Sequence, residues 1–223
     1  MKPATNPLDQ LTEIRAIMER SSRFISLSGL SGVGAGVVAL AGAAVGHWYL
    51  RAHYATQGYM GPENNGFGQL MTGSEATRQE ALPFLLELAS VVILVALLVA
   101  FFFTQRRARQ HGLALWGPLG RRLALSLAIP LAAGGLFCLM LYLRGAAGLV
   151  VPGMLLFYGL ALLNASKYTL DEIRWLGLTE IGLGLVATLF PDLGLSFFAF
   201  GFGLCHIGYG LLMYNRYERT STS

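Results

Sequence analysis

Charged residues are scarce in this chain of 223 residues, and their scarcity excludes most soluble folds. Only 13% of the residues are Asp, Glu, Lys or Arg, whereas 54% are hydrophobic. A soluble domain has about 25% charged residues. Because a chain with half of that fraction cannot cover a water-facing surface, the sequence predicts that lipid surrounds most of the protein.

Cysteine and the common catalytic motifs are also nearly absent. The two cysteines, Cys138 and Cys205, lie in apolar runs and form no CxxC pair, which argues against a disulfide framework and against a zinc site. The chain has no GxxxxGK[ST], HExxH or GxSxG motif, and such motifs mark nucleotide-binding and hydrolytic centres. We therefore expect a protein that is not an enzyme and that holds no cofactor and no metal. The net charge of +4 is small and not gathered in one tract, so no nucleic-acid partner is predicted.

Long apolar runs fill most of the chain. Crossing the hydrocarbon core of a bilayer takes roughly 20 apolar residues. The fifth run is short, but Pro191-Asp192 with Gly194 is a turn signal that separates it from the sixth. The predicted fold class is all-α, a polytopic membrane protein built as a bundle of six transmembrane helices. The six predicted spans are 24–50, 82–104, 123–143, 147–168, 173–190 and 193–214.

The basic residues predict which way the spans run. All but three of the 16 Lys and Arg residues fall before the first span, after the last, or in the loops that follow the second and fourth spans. The three exceptions are Arg51, Arg78 and Arg144. By the positive-inside rule, both termini are cytoplasmic. The predicted organisation is thus a transmembrane domain over 24–214 with an outside loop at 51–81, a cytoplasmic Arg-rich loop at 105–122 and a cytoplasmic tail at 215–223.

The N-terminal arm, residues 1–23, carries apolar residues at helical spacing. Leu11, Ile14 and Met18 follow that spacing, with charged residues elsewhere around the helix. We expect a short amphipathic helix on the cytoplasmic leaflet, either as an anchor beside the membrane or as a docking helix for a partner. A cleavable signal peptide is the alternative, but its apolar region is usually about 7–15 residues, and the run here is nearly twice as long.

Small residues line one face of the first span. Gly29, Gly32, Gly36, Ala39, Ala43 and Gly46 recur at intervals of three and four residues, and Gly32/Gly36 and Gly42/Gly46 are GxxxG pairs. In lipid such faces allow helix backbones to approach closely. The pattern predicts a tightly packed helix of the bundle or a contact between copies of the chain.

The second loop concentrates positive charge next to the cytoplasmic leaflet. Its arginines could bind anionic lipid headgroups, or they could serve only to orient the spans. These arginines are Arg106, Arg107, Arg109, Arg121 and Arg122.

Two ionisable residues lie deep within predicted spans. Glu180 is six residues past Arg174, and His206 is eight residues before Tyr214, so both lie roughly 9–12 Å from the same membrane surface at 1.5 Å per residue. Both share a helix face with small residues. We predict that Glu180 and His206 interact inside the bundle as an ion pair or a neutral hydrogen bond, either to fix helix packing or to handle a proton.

Three segments carry a resemblance to a known group of proteins. They are IMERSSRFISLSGLSG at 17–32, LGLTEIGLGL at 176–185 and FGFGLCHIGYGLLMY at 200–214. In these segments the chain resembles a family of bacterial multipass membrane proteins with no assigned activity. The resemblance implies a multipass protein of the bacterial inner membrane, and it implies no substrate and no site residues.

Two functions remain as hypotheses from the sequence. The first is a structural or accessory subunit of a membrane complex, or a homo-oligomer, with the bilayer and a membrane protein as partners. It depends on the missing catalytic motifs, the small-residue face and the N-terminal arm. The second is a small transporter or channel that uses Glu180 and His206 for the passage of a proton or a solute.

Overall fold

A computed structural model describes residues 27–54, 67, 70, 74–110, 112 and 116–219, and within these residues all regular structure is helical. The predicted amphipathic arm and most of the predicted outside loop lie outside the described residues. A π-helical segment lies at Ala199–Cys205. Short 3₁₀ turns lie at Ala147–Leu149, Ser166–Tyr168 and Pro191–Leu193. The helices are α1 (Gly29–Tyr54), α2 (Glu75–Gln110), α3 (Pro118–Leu143), α4 (Val150–Ala165), α5 (Asp171–Ala187), α6 (Gly194–Phe198) and α7 (His206–Tyr217).

Five helical stretches are long and apolar enough to cross a membrane. They are Gly29–Tyr54, Glu75–Gln110, Pro118–Leu143, Ala147–Tyr168 and Pro191–Tyr217. In the most apolar window of α2 no residue is buried, and an apolar surface of that kind is typical of contact with lipid or with a protein partner. The all-helical fold is therefore confirmed, and its apolar helices indicate a membrane protein. The fifth predicted span, 173–190, corresponds to α5, which has 17 residues and is not among these five stretches.

Local sequence explains where several helices begin and end. Pro118 opens α3 directly after Gly117, at a position where the missing backbone N–H costs nothing. Gly145 follows α3 with a φ of 82°, a left-handed conformation that suits glycine. Asp171 and Glu172 lie in the first turn of α5, where negative charge stabilises the helix by interacting with its dipole.

One group of helix ends is held together by charged side chains. Glu218, just after α7, accepts a hydrogen bond from Ser28 at 3.2 Å and forms an ion pair of 3.0 Å with Arg107 near the end of α2. Glu172 at the start of α5 pairs with Arg216 at 3.0 Å. The start of α1, the end of α2, the start of α5 and the end of α7 therefore lie at the same end of the bundle.

Two further hydrogen bonds join α3 to α2 and to α4. The hydroxyl of Tyr142, at the end of α3, donates to the carbonyl oxygen of Arg78, at the start of α2, at 2.7 Å. Asn164, at the end of α4, donates to the carbonyl oxygen of Ser126, in the first half of α3, at 3.1 Å. Successive helices from α1 to α5 therefore run in opposite directions through the bundle, and α6, the π-helical segment and α7 form one continuous stretch.

Glycines bring α1 into backbone contact with the last helical stretch, Pro191–Tyr217. A Cβ at Gly36 would lie 2.7 Å from the carbonyl oxygen of Gly203, and one at Gly210 would lie 2.6 Å from the backbone nitrogen of Val33. Real Cβ atoms essentially never come so close, so only glycine permits this spacing. We call this unit the α1/α7 pair.

A second unit, the α4/α5 pair, is packed in the same way. A Cβ at Gly159 would lie 2.6 Å from the carbonyl oxygen of Gly177, and one at Gly184 would lie 2.9 Å from the backbone nitrogen of Leu156. Helix α2 packs on α1, and α3 packs on α4. The two glycine-packed pairs therefore form the centre of the bundle, with α2 and α3 at its edges.

Candidate functional site

Glu180 lies halfway along α5, on the face that carries Gly177 and Gly184 into contact with α4. Its exposed fraction is 0%, the lowest of any charged side chain in the described residues. Burial follows from the local sequence, since the glycines on either side draw α4 against α5. A carboxyl group in such a place normally has hydrogen-bond partners.

Glu180 has none within the part of the chain that the structure describes. Both of its carboxyl oxygens are buried without a hydrogen bond. The nearest basic atom is Nδ1 of His206, 3.5 Å from Oε1. This distance satisfies an ion contact, but it is long for a hydrogen bond. The structure thus brings the two predicted residues together without joining them by a hydrogen bond.

The hydrogen bonds of His206 explain why it does not donate to Glu180. Nδ1 lies 3.1 Å from the carbonyl oxygen of Gly201. Because a carbonyl oxygen can only accept, Nδ1 carries the hydrogen. Nε2 lies 2.7 Å from the hydroxyl of Tyr158 on α4. In the neutral ring Nε2 therefore accepts from Tyr158, and in the protonated ring it donates to Tyr158.

Gly201 shapes the site as well as accepting a bond from His206. A Cβ at position 201 would lie 2.6 Å from Oε2 of Glu180 and 2.6 Å from Cδ2 of Leu155. The carboxyl group therefore packs directly on the Gly201 backbone. Gly201 lies in the π-helical segment Ala199–Cys205, which ends immediately before His206. Segments of this kind occur frequently at functional sites because they alter the helical hydrogen-bond pattern locally.

Apolar clusters close the site on both sides along the helix axes. The Met213 cluster lies toward the end of the bundle that holds Glu218, and the Leu155 cluster lies toward the other end. On α5, Glu180 falls between Leu176 of the first cluster and Ala187 of the second. The Met213 cluster comprises Leu162, Leu170, Ile173, Leu176 and Met213. The Leu155 cluster comprises Val151, Leu155 and Ala187, with Phe198 and Phe202 packed against it.

The predicted glycine face of α1 divides between two neighbours. Gly29, Gly32 and Gly36 face the last helical stretch, where their nearest atoms belong to residues 203–214. Gly42 and Gly46 face Val92 and Leu88 of α2. In this single chain all five glycines serve contacts within the bundle, and the alternative of a contact between copies stays a prediction.

The predicted headgroup arginines also divide into two kinds. Arg107 is 6% exposed and donates to Glu218 and to the carbonyl oxygen of Leu27, so its charge is already matched within the protein. The other four are exposed and remain predicted lipid contacts. They are Arg106, Arg109, Arg121 and Arg122.

Two members of the site, Tyr158 and Gly201, were missed by the sequence argument. Tyr158 lies ten residues before Tyr168, a depth comparable to that of Glu180 and His206 when measured from the same membrane surface. Depth could therefore have identified the tyrosine. The role of Gly201 could not have been found in this way, because it depends on backbone geometry. Within the described residues, no group of three or more His, Cys, Asp or Glu side chains is arranged to hold a metal ion.

Comparisons with known proteins return nothing: no family model, no curated protein and no solved structure matches this chain.

Proposed function

We propose that the protein is a small transporter or channel of the bacterial inner membrane, in which Glu180 and His206 lie on the path of a proton or a solute. The observation that carries this proposal is the buried, unbonded carboxyl group of Glu180 beside His206. A polar group without partners is costly in a low-dielectric interior. Intramembrane ionisable residues commonly mark ion pathways and proton relays.

The proposal includes six membrane crossings with both termini in the cytoplasm. The grouping of helix ends supports it, because α1 and α7 place the first and last described helix ends together at Ser28 and Glu218. The partition of basic residues supports the cytoplasmic assignment of that end. The crossing to be added to those five stretches is α5, the fifth along the chain, which at 1.5 Å per residue is about 25 Å long. Its glycine face is covered by α4, so that side of α5 meets protein and not lipid.

Reconstitution in liposomes tests transport directly. With a pH-sensitive dye inside and an imposed pH gradient, we expect the protein to dissipate the gradient and Glu180→Gln to abolish that activity. Glu87→Gln is the matched control, because Glu87 lies on α2, is exposed and is remote from the site. Dissipation no faster than in empty liposomes would refute the proton version of the proposal, and a solute version would then require the same assay with candidate solutes.

A second candidate is an accessory subunit of a membrane complex or a homo-oligomer. The exposed apolar surface of α2 favours it, since no residue of the helix's most apolar window is buried and α2 packs extensively only on α1 among the described elements. A stoichiometric partner retained through purification in mild detergent, together with no transport activity, would favour this candidate over the first.

A further inference from the structure

We infer that the substrate of the proposed transporter is the proton, which binds to Glu180 and is exchanged with water when the α1/α7 pair and the α4/α5 pair move relative to each other. This inference rests on the transport function proposed above. It is carried by the space around Glu180, by the hydrogen bonds of His206 and by the position of the site between the two pairs.

The packing around Glu180 leaves no room for an organic solute beside the Gly201 backbone in this conformation. A single methyl group on Gly201 would lie 2.6 Å from both the Glu180 carboxyl group and the Leu155 side chain. No room therefore remains on that side for a solute, and the described residues hold no group of three or more His, Cys, Asp or Glu side chains that could hold a metal ion. A proton needs no added volume, since it forms an O–H or N–H bond on a group already present.

The hydrogen bonds leave one movable proton in the site. The Nδ1 hydrogen of His206 is committed to the carbonyl of Gly201. One further proton can reside on Glu180, with a neutral His206 that accepts from Tyr158, or on Nε2 of His206, opposite a Glu180 carboxylate. Both arrangements have no net charge. The titratable groups that face Glu180 within the described residues are His206, Tyr158 and Cys205.

Loss of that proton leaves one uncompensated negative charge on Glu180. An unpaired charge in a low-dielectric interior is strongly unfavourable, so release of the proton requires water at the site. The Met213 cluster and the Leu155 cluster separate the site from both ends of the bundle. A change of conformation must therefore open one of these clusters before the proton can leave to water.

The packing indicates where the bundle opens. Within each pair, glycines hold the helix backbones in contact, as at Gly36 with Gly203 and at Gly159 with Gly177. Between the pairs, contact is made by side chains. Examples are the Thr179–Tyr209 hydrogen bond of 3.1 Å and the Glu172–Arg216 ion pair.

Side chains can change rotamer, whereas interlocked backbones cannot separate without losing their packing. The seam between the pairs is therefore where movement occurs. The side chains of the site lie on both sides of that seam. Glu180 and Tyr158 belong to the α4/α5 pair, and His206 belongs to the α1/α7 pair. Movement of one helix bundle against another around a central site is a general route to alternating access.

Reversible cross-links across the seam and within one pair test this inference. In a background that lacks Cys138 and Cys205, Glu172→Cys with Arg216→Cys places two thiols across the seam. Ser28→Cys with Glu218→Cys places two thiols within the α1/α7 pair at the same end of the bundle. A short bifunctional methanethiosulfonate bridges each pair of thiols, and a reducing agent removes it. Each cross-linked protein is compared with its own reduced form in sodium-free, choline-based buffer.

We expect the seam cross-link to slow proton transport by about tenfold or more, because alternating access requires the two pairs to move relative to each other. Reduction of the cross-link should restore the rate. The cross-link within the pair should leave the rate unchanged. An unchanged rate with the seam cross-link, or equal slowing by both cross-links, would overturn the inferred movement. A requirement for added sodium would overturn the proton as substrate. Undiminished transport by Glu180→Gln would instead refute the proposed function itself, so the two failures are distinguishable.

Discussion

At the scale of single residues, buried polar atoms without partners are confined to two side chains in the described part of the chain. They are the two carboxyl oxygens of Glu180 and Nε of Arg107. Arg107 has other bonds, to Glu218 and Leu27, whereas Glu180 has only the ion contact with His206. Because of this difference, we assign a functional role to Glu180 and a structural role to Arg107.

A double-mutant cycle measures the contact between Glu180 and His206. We expect His206→Leu to lower the free energy of unfolding by about 1–3 kcal/mol, because it removes the partner of Tyr158 and of the Gly201 carbonyl and leaves Glu180 alone. Adding Glu180→Leu should restore part of that loss, since the double variant no longer buries a carboxyl group. The measurement is SDS titration of the protein in mixed micelles.

The two single variants and the double variant complete the cycle. Removing Glu180 alone should cost less than removing His206 alone, because Glu180 makes no hydrogen bond of its own. Strictly additive effects would contradict an energetic contact between the two residues.

At the scale of elements, the last helical stretch combines two requirements. Its glycines must meet α1, as Gly203 and Gly210 do, and its π-helical segment must direct the Gly201 carbonyl to His206. Gly208 of the same stretch has no such task. A Cβ at Gly208 would meet nothing within 4 Å, so the glycine content of this helix is only partly explained by packing.

Two alanine substitutions separate packing from helix propensity. Alanine is about 1 kcal/mol better than glycine in a helix interior, and this gain applies equally at positions 208 and 210. At Gly210 the new Cβ would lie 2.6 Å from the backbone nitrogen of Val33, and the helices would have to separate. We expect Gly210→Ala to destabilise the protein by about 1–3 kcal/mol, while Gly208→Ala leaves its stability equal or higher.

Thermal unfolding in detergent compares the two variants. Since they lie two residues apart on one helix, Gly208→Ala controls for expression, detergent and propensity. Equal stability of the two variants would show that the contact between α1 and α7 does not set the stability of the bundle.

At the scale of the whole molecule, the distribution of helix ends defines two sides. Ser28, Arg107 and Glu218 meet on one side, and Arg78 and Tyr142 meet on the other. These contacts do not depend on the positive-inside rule, yet they assign the helix ends to the same two sides as the basic residues do. They therefore support the proposed six crossings.

Accessibility to a thiol reagent tests this arrangement in cells. In a background without Cys138 and Cys205, Gln110→Cys lies at the end of α2 and Arg144→Cys follows α3, and both positions are exposed. We expect an impermeant maleimide, added to intact cells, to label position 144 and to spare position 110. Labelling of position 110 in intact cells would overturn the cytoplasmic assignment of the Arg-rich loop.

The sequence by itself determined the helical segments of this protein. The predicted span 147–168 coincides with the apolar stretch Ala147–Tyr168, because hydropathy and turn signals are local properties. The predicted span 82–104 was shorter than α2, which continues into polar residues at both ends. Those polar residues favour a helix without requiring lipid, so an apolar run marks the membrane-spanning part and not the whole element.

Only the tertiary structure decided which residues meet. Depth and small-residue faces predicted that Glu180 and His206 approach each other, but depth does not specify hydrogen bonds. His206 bonds to Gly201 and Tyr158 and not to Glu180. This arrangement depends on the π-helical segment Ala199–Cys205 and on the glycine contacts within the α1/α7 pair and within the α4/α5 pair. The same holds for Arg107, whose partner Glu218 is 111 residues away in sequence. Local sequence sets which segments become helices and how deep each residue lies, whereas the rotation and spacing of packed helices set which polar atoms face each other, and these depend on contacts between distant parts of the chain.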